Sequence, residues 1–125
     1  MTRHWTLDYL GQQWTEETDC YYWVRKIQQE VFSVTLSLYP NPKERKQWTE
    51  TELPKEGDVI FMEDCQKAPH VGVWVGQDSV IHAVKGWGVV IDSRANLELY
   101  GMVYKKAVTH IGAGKYCQKS PTEYQ

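Results

Sequence analysis

The sequence predicts an α+β fold in which an N-terminal helix packs on an antiparallel β-sheet meander. Two observations lead to this prediction. After Cys20 the apolar residues recur every three or four positions, as on one face of a helix, and from Gly57 onward short β-prone runs are bounded by Gly, Asp and Asn. A helix followed by consecutive strands indicates a segregated arrangement rather than alternating βαβ units.

The helical pattern places Cys20 in the first turn of the predicted helix. Thr18 and Asp19, just before it, are both suitable N-cap residues. The apolar stripe consists of Trp23, Val24, Ile27, Val31 and Val34. The helical signal weakens after Phe32, and the prolines at positions 40 and 42 end it. Residues 41–56 then form a polar connection with room for one short helical turn.

Five short runs are the predicted strands, at residues 59–62, 71–75, 80–83, 89–91 and 102–104. Together with the helix they constitute one domain over residues 1–111. Residues 112–125 lack apolar periodicity and are predicted as a loose C-terminal tail.

Composition narrows the class of protein. A chain of 125 residues fits within one domain that can bury a core without disulfides or metals. The formal net charge of −2 does not suit a nucleic-acid-binding protein. No run approaches the roughly 20 apolar residues of a membrane helix, and the N-terminal segment has no secretory apolar region. We therefore expect synthesis in the cytoplasm without a signal peptide, and no membrane insertion.

Three residues carry the candidate chemistry. Cys20 lies at a helix N-terminus, where unpaired N–H groups and partial positive charge favour a thiolate. His70 begins a strand fifty positions later, and His82 ends the next apolar run. A cysteine, a histidine base and a polar group that orients the base are the parts of a cysteine-protease triad. Without further support, a buried structural cysteine and two hydrogen-bonded histidines would explain the same pattern.

Five sequence blocks around these residues resemble those of a known protein family. They read YLGQQW at 9–14, DCYYWVR at 19–25, GDVIF at 57–61, HVGVWVG at 70–76 and VIHA at 80–83. In this order and spacing the chain resembles the NlpC family of bacterial cell-wall cysteine peptidases, most closely the members found with phage tails and prophages. The resemblance implies a papain-like core in which Cys20 is the nucleophile, His70 the base and His82 the residue that orients His70.

The same likeness implies hydrolysis of amide bonds in peptidoglycan stem peptides, typically beside the D-glutamyl residue. Its partners would be peptidoglycan peptide and phage tail proteins, with a virion- or tail-associated location. No metal or other cofactor is expected, because the chemistry uses a thiolate, an imidazole and backbone donors.

The chain departs from the family beside the nucleophile. Tyr21 and Tyr22 replace the usual Ser-Gly, so the mouth next to the thiol should be more crowded. Trp14 stands where many members have Tyr, and its indole N–H can donate a hydrogen bond but cannot accept one. Trp14 and the Cys20 backbone N–H are therefore the candidates for an oxyanion hole. Trp87, between two glycines, is either an aromatic lip over the substrate or a ring packed on the sheet, and we favour the packed position.

Three alternatives stay open. Cys65, His70, His82 and a second cysteine could bind zinc, but the sequence has no paired ligand spacing of a structural zinc site. The fold could serve as a catalytically silent tail-assembly or adaptor module. The same thiol could also act as an acyltransferase or as an amidase on another substrate. Cys65 and Cys117 are expected to be incidental thiols, and His4 and His110 to have local roles.

Strand parity predicts whether the two histidines can meet. If residues 76–78 form a three-residue hairpin loop, Val75 faces Ser79, Trp74 faces Val80 and Gly72 faces His82. His70 and His82 then share one face of the sheet, diagonal to each other and close enough for contact. A two-residue loop of Gln77 and Asp78 would shift the register by one, set His82 opposite Val73 and send the two histidines to opposite faces.

Overall fold

The structure is a computed structural model that describes residues 4–111. Residues 112–125, predicted as a loose tail, lie outside the described residues. A short 3-10 helix at Trp5–Asp8 precedes three α-helices: α1 (Cys20–Phe32), α2 (Pro42–Arg45) and α3 (Arg94–Leu99). The six strands are β1 (Trp48–Thr51), β2 (Val59–Glu63), β3 (Pro69–Gly76), β4 (Ser79–Val84), β5 (Gly88–Ser93) and β6 (Val103–His110).

Helix α1 begins at Cys20, as predicted. Asp19 is its N-cap, and the Asp19 carboxylate accepts a hydrogen bond from the backbone N–H of Tyr22 at 2.9 Å. The helix ends at Phe32 because Ser33 adopts a left-handed conformation with φ of 58°. It therefore stops well before the prolines, and Val34 follows the helix rather than extending its apolar stripe. The short turn predicted between residues 41 and 56 is α2, capped by Asn41.

The sheet has the strand order β1-β6-β2-β3-β4-β5, and every pair is antiparallel. Strands β2 to β5 form the predicted meander. The prediction was wrong for the last strand, because β6 crosses back to lie between β1 and β2. This insertion gives β1 a partner and leaves β5 at the other edge of the sheet.

Three elements were missing from the sequence prediction: the 3-10 helix at Trp5–Asp8, strand β1 and helix α3. Strand β1 has the sequence Trp-Thr-Glu-Thr at a sheet edge, and its two central residues are exposed, so it lacks the apolar run that marks a strand. Helix α3 has six residues and buries only Leu97, which is too short for a periodic signal. Its N-cap, Ser93, is the last residue of β5.

Apolar residues form one cluster on each face of the sheet. On one face α1 packs through Trp23, Val24 and Ile27 against strand residues such as Val73 and Ile81. The second cluster joins Leu97 and Met102 to the other face, where Ile60, Trp74 and Val80 lie. The buried amide of Gln28 donates to the carbonyl of Gly57 at 2.7 Å, which ties α1 to the start of β2. In the described part of the chain, the helices are too short or too polar to cross a membrane.

Candidate active site

The β3–β4 hairpin has the predicted register, but its loop is not the predicted one. Trp74 pairs with Val80 as predicted, but Gly76, and not Val75, faces Ser79. The loop has two residues, Gln77 and Asp78, both with positive φ, as in a tight turn whose twist matches the strands. The one-residue shift is absorbed by a bulge at Val75 on β3. The prediction of a three-residue loop was therefore wrong, whereas the strand pairing beyond the bulge is the predicted one.

This register brings the two histidines together. The Nε2 atom of His70 lies 2.7 Å from the Nδ1 atom of His82, which confirms the predicted contact. Gly72 makes the contact possible, because a Cβ at this position would lie 2.5 Å from Val80 Cγ1 and 3.0 Å from His82 Cβ. Val71 and Val73 point to the opposite face, into the cluster under α1.

The polar chain continues beyond His82 to a residue that the sequence analysis missed. The Nε2 atom of His82 lies 2.8 Å from Oδ2 of Asp92 on β5. Because Val80 pairs with Asp92 and His82 with Val90, Asp92 is diagonal to His82 on the same face. Extending the parity argument from β4 to β5 would have found it, since Asp92 directly follows the apolar run at residues 89–91.

Cys20 lies close to β3, the strand that carries His70. As the first residue of α1, it is half-buried beside the cluster that includes Val71. The backbone N–H of Val71, the residue after His70, faces the Cys20 thiol and acts to lower its pKa. The N-terminus of α1 therefore reaches the part of β3 that carries His70.

Burial is the main cause of the pKa shifts of Cys20, His70 and His82. It raises the pKa of the Cys20 thiol, and the Asp19 carboxylate adds to this effect. Backbone N–H groups of Val71, Tyr21 and Cys20 itself act in the opposite direction without reversing it. The helix N-terminus therefore does not by itself yield the lowered thiol pKa that the sequence suggested, because removing the sulfur from water outweighs it.

The histidines are shifted toward their neutral forms. Burial lowers the pKa of His70 to about 4, with His82 adding to the shift and Asp64 opposing it. Burial also lowers the pKa of His82, although the hydrogen bond to Asp92 acts in the opposite direction. At neutral pH the resting site therefore contains a thiol and two neutral imidazoles rather than a preformed ion pair.

The three residues proposed to contact substrate differ in their surroundings. Trp14 packs against the α1 cluster, and the Lys85 ammonium lies 5.5 Å from its ring centre. The Tyr21 hydroxyl donates to the carbonyl of Ser37 at 2.6 Å, so its ring is held in place. Trp87 is 74% exposed in the β4–β5 turn, which shows that the favoured packed position was wrong.

A groove of about 490 Å³ opens beside Tyr21 and Val71. It lies over strands β1, β6 and β2, and its floor and walls are mainly apolar. Two cationic side chains, Arg45 and Lys106, and the carboxylate of Glu50 lie on it. The apolar and aromatic lining consists of Tyr21, Leu36, Pro40, Trp48, Val59, Phe61, Val71 and Val108. The groove includes Val71, whose backbone N–H faces the Cys20 thiol.

The remaining thiols and histidines have other surroundings. Cys65 is exposed, and Cys117 lies outside the described residues. His4 bonds Thr6 and Glu56, and His110 bonds Gln47, so both have local roles as predicted. Between residues 4 and 111, no three His, Cys, Asp or Glu side chains are grouped to hold a metal ion, so the zinc ligands considered above do not come together there.

Comparison with known proteins gives one match. A family model described as the NlpC/P60 family matches residues 8–112, which include helix α1 and all six strands. No curated protein matches the chain. An N-terminal helix on a six-stranded antiparallel sheet is consistent with the papain-like α+β fold of that family.

Proposed function

This chain belongs to the NlpC/P60 family, and we propose that it hydrolyses amide bonds in peptidoglycan stem peptides with Cys20 as nucleophile and His70 as base. Members of the family are generally cysteine peptidases or amidases, and their substrate is cell-wall peptidoglycan. The observation that carries the proposal is the polar chain from His70 to His82, which begins beside the backbone that contacts the Cys20 thiol.

The proposed chemistry assigns a role to each of these side chains. His70 uses Nε2 to contact His82, so its Nδ1 is the atom that takes the thiol proton as sulfur attacks the amide carbon. Negative charge on the carbonyl oxygen is stabilised by the Cys20 backbone N–H and the Trp14 indole N–H. His70 then gives its proton to the leaving amine, and a thioester remains on Cys20. Water, deprotonated by His70, hydrolyses the thioester and restores the thiol.

The groove beside Cys20 supports an acidic peptide as substrate. Its apolar floor suits short aliphatic side chains, such as those of alanyl residues. Arg45 supplies positive charge that can pair with a stem-peptide carboxylate, whereas Lys106 already forms an ion pair with Glu50 at 3.4 Å. Trp14 and Lys85 form a second surface that combines apolar area with positive charge.

The test is digestion of soluble peptidoglycan fragments followed by mass spectrometry. We expect two products whose masses sum to the substrate plus one water, and a loss of roughly a thousandfold or more in Cys20→Ala. Cys65→Ala is the matched control and should keep full activity, because Cys65 is an exposed thiol outside the site.

Intact fragments with folded wild-type protein would contradict the proposal and favour a silent module. A product that carries an acceptor amine in place of water would favour acyl transfer instead. We further propose, from the sequence likeness alone, a tail-associated location after synthesis in the cytoplasm. Absence of the chain from purified phage particles, measured by peptide mass mapping, would contradict that location.

A further inference from the structure

Asp92 ends the polar chain in a position closed to water. Its carboxylate accepts from the ring N–H of His82, and the two residues are 8% and 3% exposed. A carboxylate can only accept in this contact, so Nε2 of His82 must carry the hydrogen. Solvent has little access to this acceptor, which means that water cannot readily take its place.

This one contact determines the hydrogen positions along the chain. A neutral imidazole has a single N–H, so a hydrogen on Nε2 leaves the Nδ1 of His82 as an acceptor. Nε2 of His70, 2.7 Å away, must then be the donor. The Nδ1 of His70 is left with a free lone pair. Burial supports this assignment, because it lowers the pKa of both imidazoles and keeps them neutral.

We propose that Asp92 is a positioning residue for the hydrolysis: acting through His82, it holds His70 in the tautomer whose Nδ1 can accept the Cys20 proton. The proposal rests on the proposed function and extends it by a fourth residue on a separate strand. In the opposite tautomer, His70 would carry a hydrogen on Nδ1 and could not act as the base.

A purely structural role predicts something different. The buried contact between His82 and Asp92 also joins β4 to β5, so its loss would lower stability whatever its part in catalysis. Such a role would leave the tautomers and turnover of the folded protein unchanged. The experiment must therefore measure hydrogen positions and kcat below the unfolding transition.

The variants are Asp92→Asn and Asp92→Ala, with Asp58→Asn as the matched control. In Asp92→Asn the new side-chain amide can donate to His82, which reverses the hydrogen bonds and places the His70 hydrogen on Nδ1. The Asp92→Ala variant lacks the acceptor and should give mixed tautomers. Asp58 is also buried, but its carboxylate accepts from the Lys55 backbone N–H at 2.8 Å on a different part of the fold. Its substitution tests the loss of a buried carboxylate alone.

Long-range ¹⁵N spectra of histidine-labelled protein at neutral pH report the tautomers, with His70→Gln and His82→Gln providing the assignments. We expect Nε2–H on both rings in the wild type and Nδ1–H on part or all of His70 in Asp92→Asn. In both Asp92 variants kcat on peptidoglycan fragments should fall at least about tenfold, with KM changed less than about twofold. Asp58→Asn should keep the wild-type tautomers and kcat.

Wild-type tautomers with kcat within about twofold in either Asp92 variant would overturn the proposal. If neither variant folds, the wild-type spectrum decides, because a hydrogen on Nδ1 of His70 would also overturn it. If wild-type protein cleaves no fragment, the proposed function fails. The spectra still determine whether Asp92 controls the tautomer of His70.

Discussion

At the scale of single residues, the Cys20 thiol is subject to opposing effects. Three backbone N–H groups stabilise the thiolate, as expected at a helix N-terminus, while burial and the Asp19 carboxylate favour the thiol. Burial is the largest of these effects and keeps the pKa raised. In the proposed mechanism, a thiol with a raised pKa depends on its base, so the hydrogen positions on His70 matter more than they would in a preformed ion pair.

Asp19 offers a way to change the thiol pKa without changing the helix. Asn is as good an N-cap as Asp, and its side-chain oxygen can accept the same hydrogen bond from Tyr22. Asp19→Asn removes the negative charge that raises the Cys20 pKa. We therefore expect a lower thiol pKa, measured from the pH dependence of the iodoacetamide reaction in protein with Cys65→Ser and Cys117→Ser.

Asp19→Ala is the informative control. It removes both the charge and the cap, and should destabilise the protein by about 1 kcal/mol, whereas Asp19→Asn should not. An unchanged or higher Cys20 pKa in Asp19→Asn would contradict the electrostatic explanation.

The sequence could predict the contact between His70 and His82 but not its continuation. Parity along two adjacent strands requires one correct register, whereas Asp92 requires the next register as well. The packing of Trp87 could not be predicted for a related reason. A ring in a glycine-flanked turn has no periodic pattern to show whether neighbouring residues cover it.

At the scale of elements, the β3–β4 hairpin has the predicted strand pairing although its loop is one residue shorter than predicted. Gln77 and Asp78 make a two-residue turn although neither is glycine or asparagine, the residues that usually mark such turns. The bulge at Val75 then restores the pairing of Trp74 with Val80. Sequence patterns locate strands well, but a bulge has no separate signal unless glycine marks it.

The packing of the β3–β4 hairpin requires glycine at position 72. A methyl group there would lie 2.5 Å from Val80 Cγ1 and 2.8 Å from the Ile81 carbonyl oxygen. We expect Gly72→Ala to destabilise the protein by about 1–3 kcal/mol through overpacking. Because His82 Cβ is also only 3.0 Å from that methyl position, kcat should fall as well. Urea denaturation and fragment hydrolysis measure the two effects.

Val80→Ala provides the control, since it removes the atom nearest to the added methyl group. The double variant should be more stable than the sum of the single effects predicts, by roughly 1 kcal/mol. Strictly additive effects would show that the added methyl group does not press on Val80, and would contradict the packing explanation.

At the scale of the whole molecule, the sequence predicted the helix, the meander and the faces of the valines, but not the position of β6. Local periodicity indicates where a strand lies and which side chains are buried. It does not indicate which edge a strand joins after a helix such as α3. The partner of β6, strand β1, is exposed and polar, so the pairing depends on backbone hydrogen bonds that leave no apolar pattern.

Burial of His70 and His82 also affects the stability of the whole fold. The folded pKa of His70, about 4, lies below its ordinary value of 6.5. Between these values the unfolded chain binds a proton that the folded chain does not, so stability is complete above pH 6.5 and is lost as the pH falls toward 4. His82 acts in the same direction, since burial lowers its pKa too.

We therefore expect the free energy of unfolding to fall by about 2 kcal/mol between pH 7.5 and pH 5 from His70 alone, with His82 adding to the loss. Urea denaturation followed by tryptophan fluorescence measures it. His70→Gln is the matched control, because glutamine can still donate to Nδ1 of His82 but does not titrate. The decrease should be smaller in this variant by about the same 2 kcal/mol. Equal decreases in both proteins would mean that the fold does not hold His70 neutral. The pKa of His70 would then lie near its ordinary value, which would contradict the burial explanation.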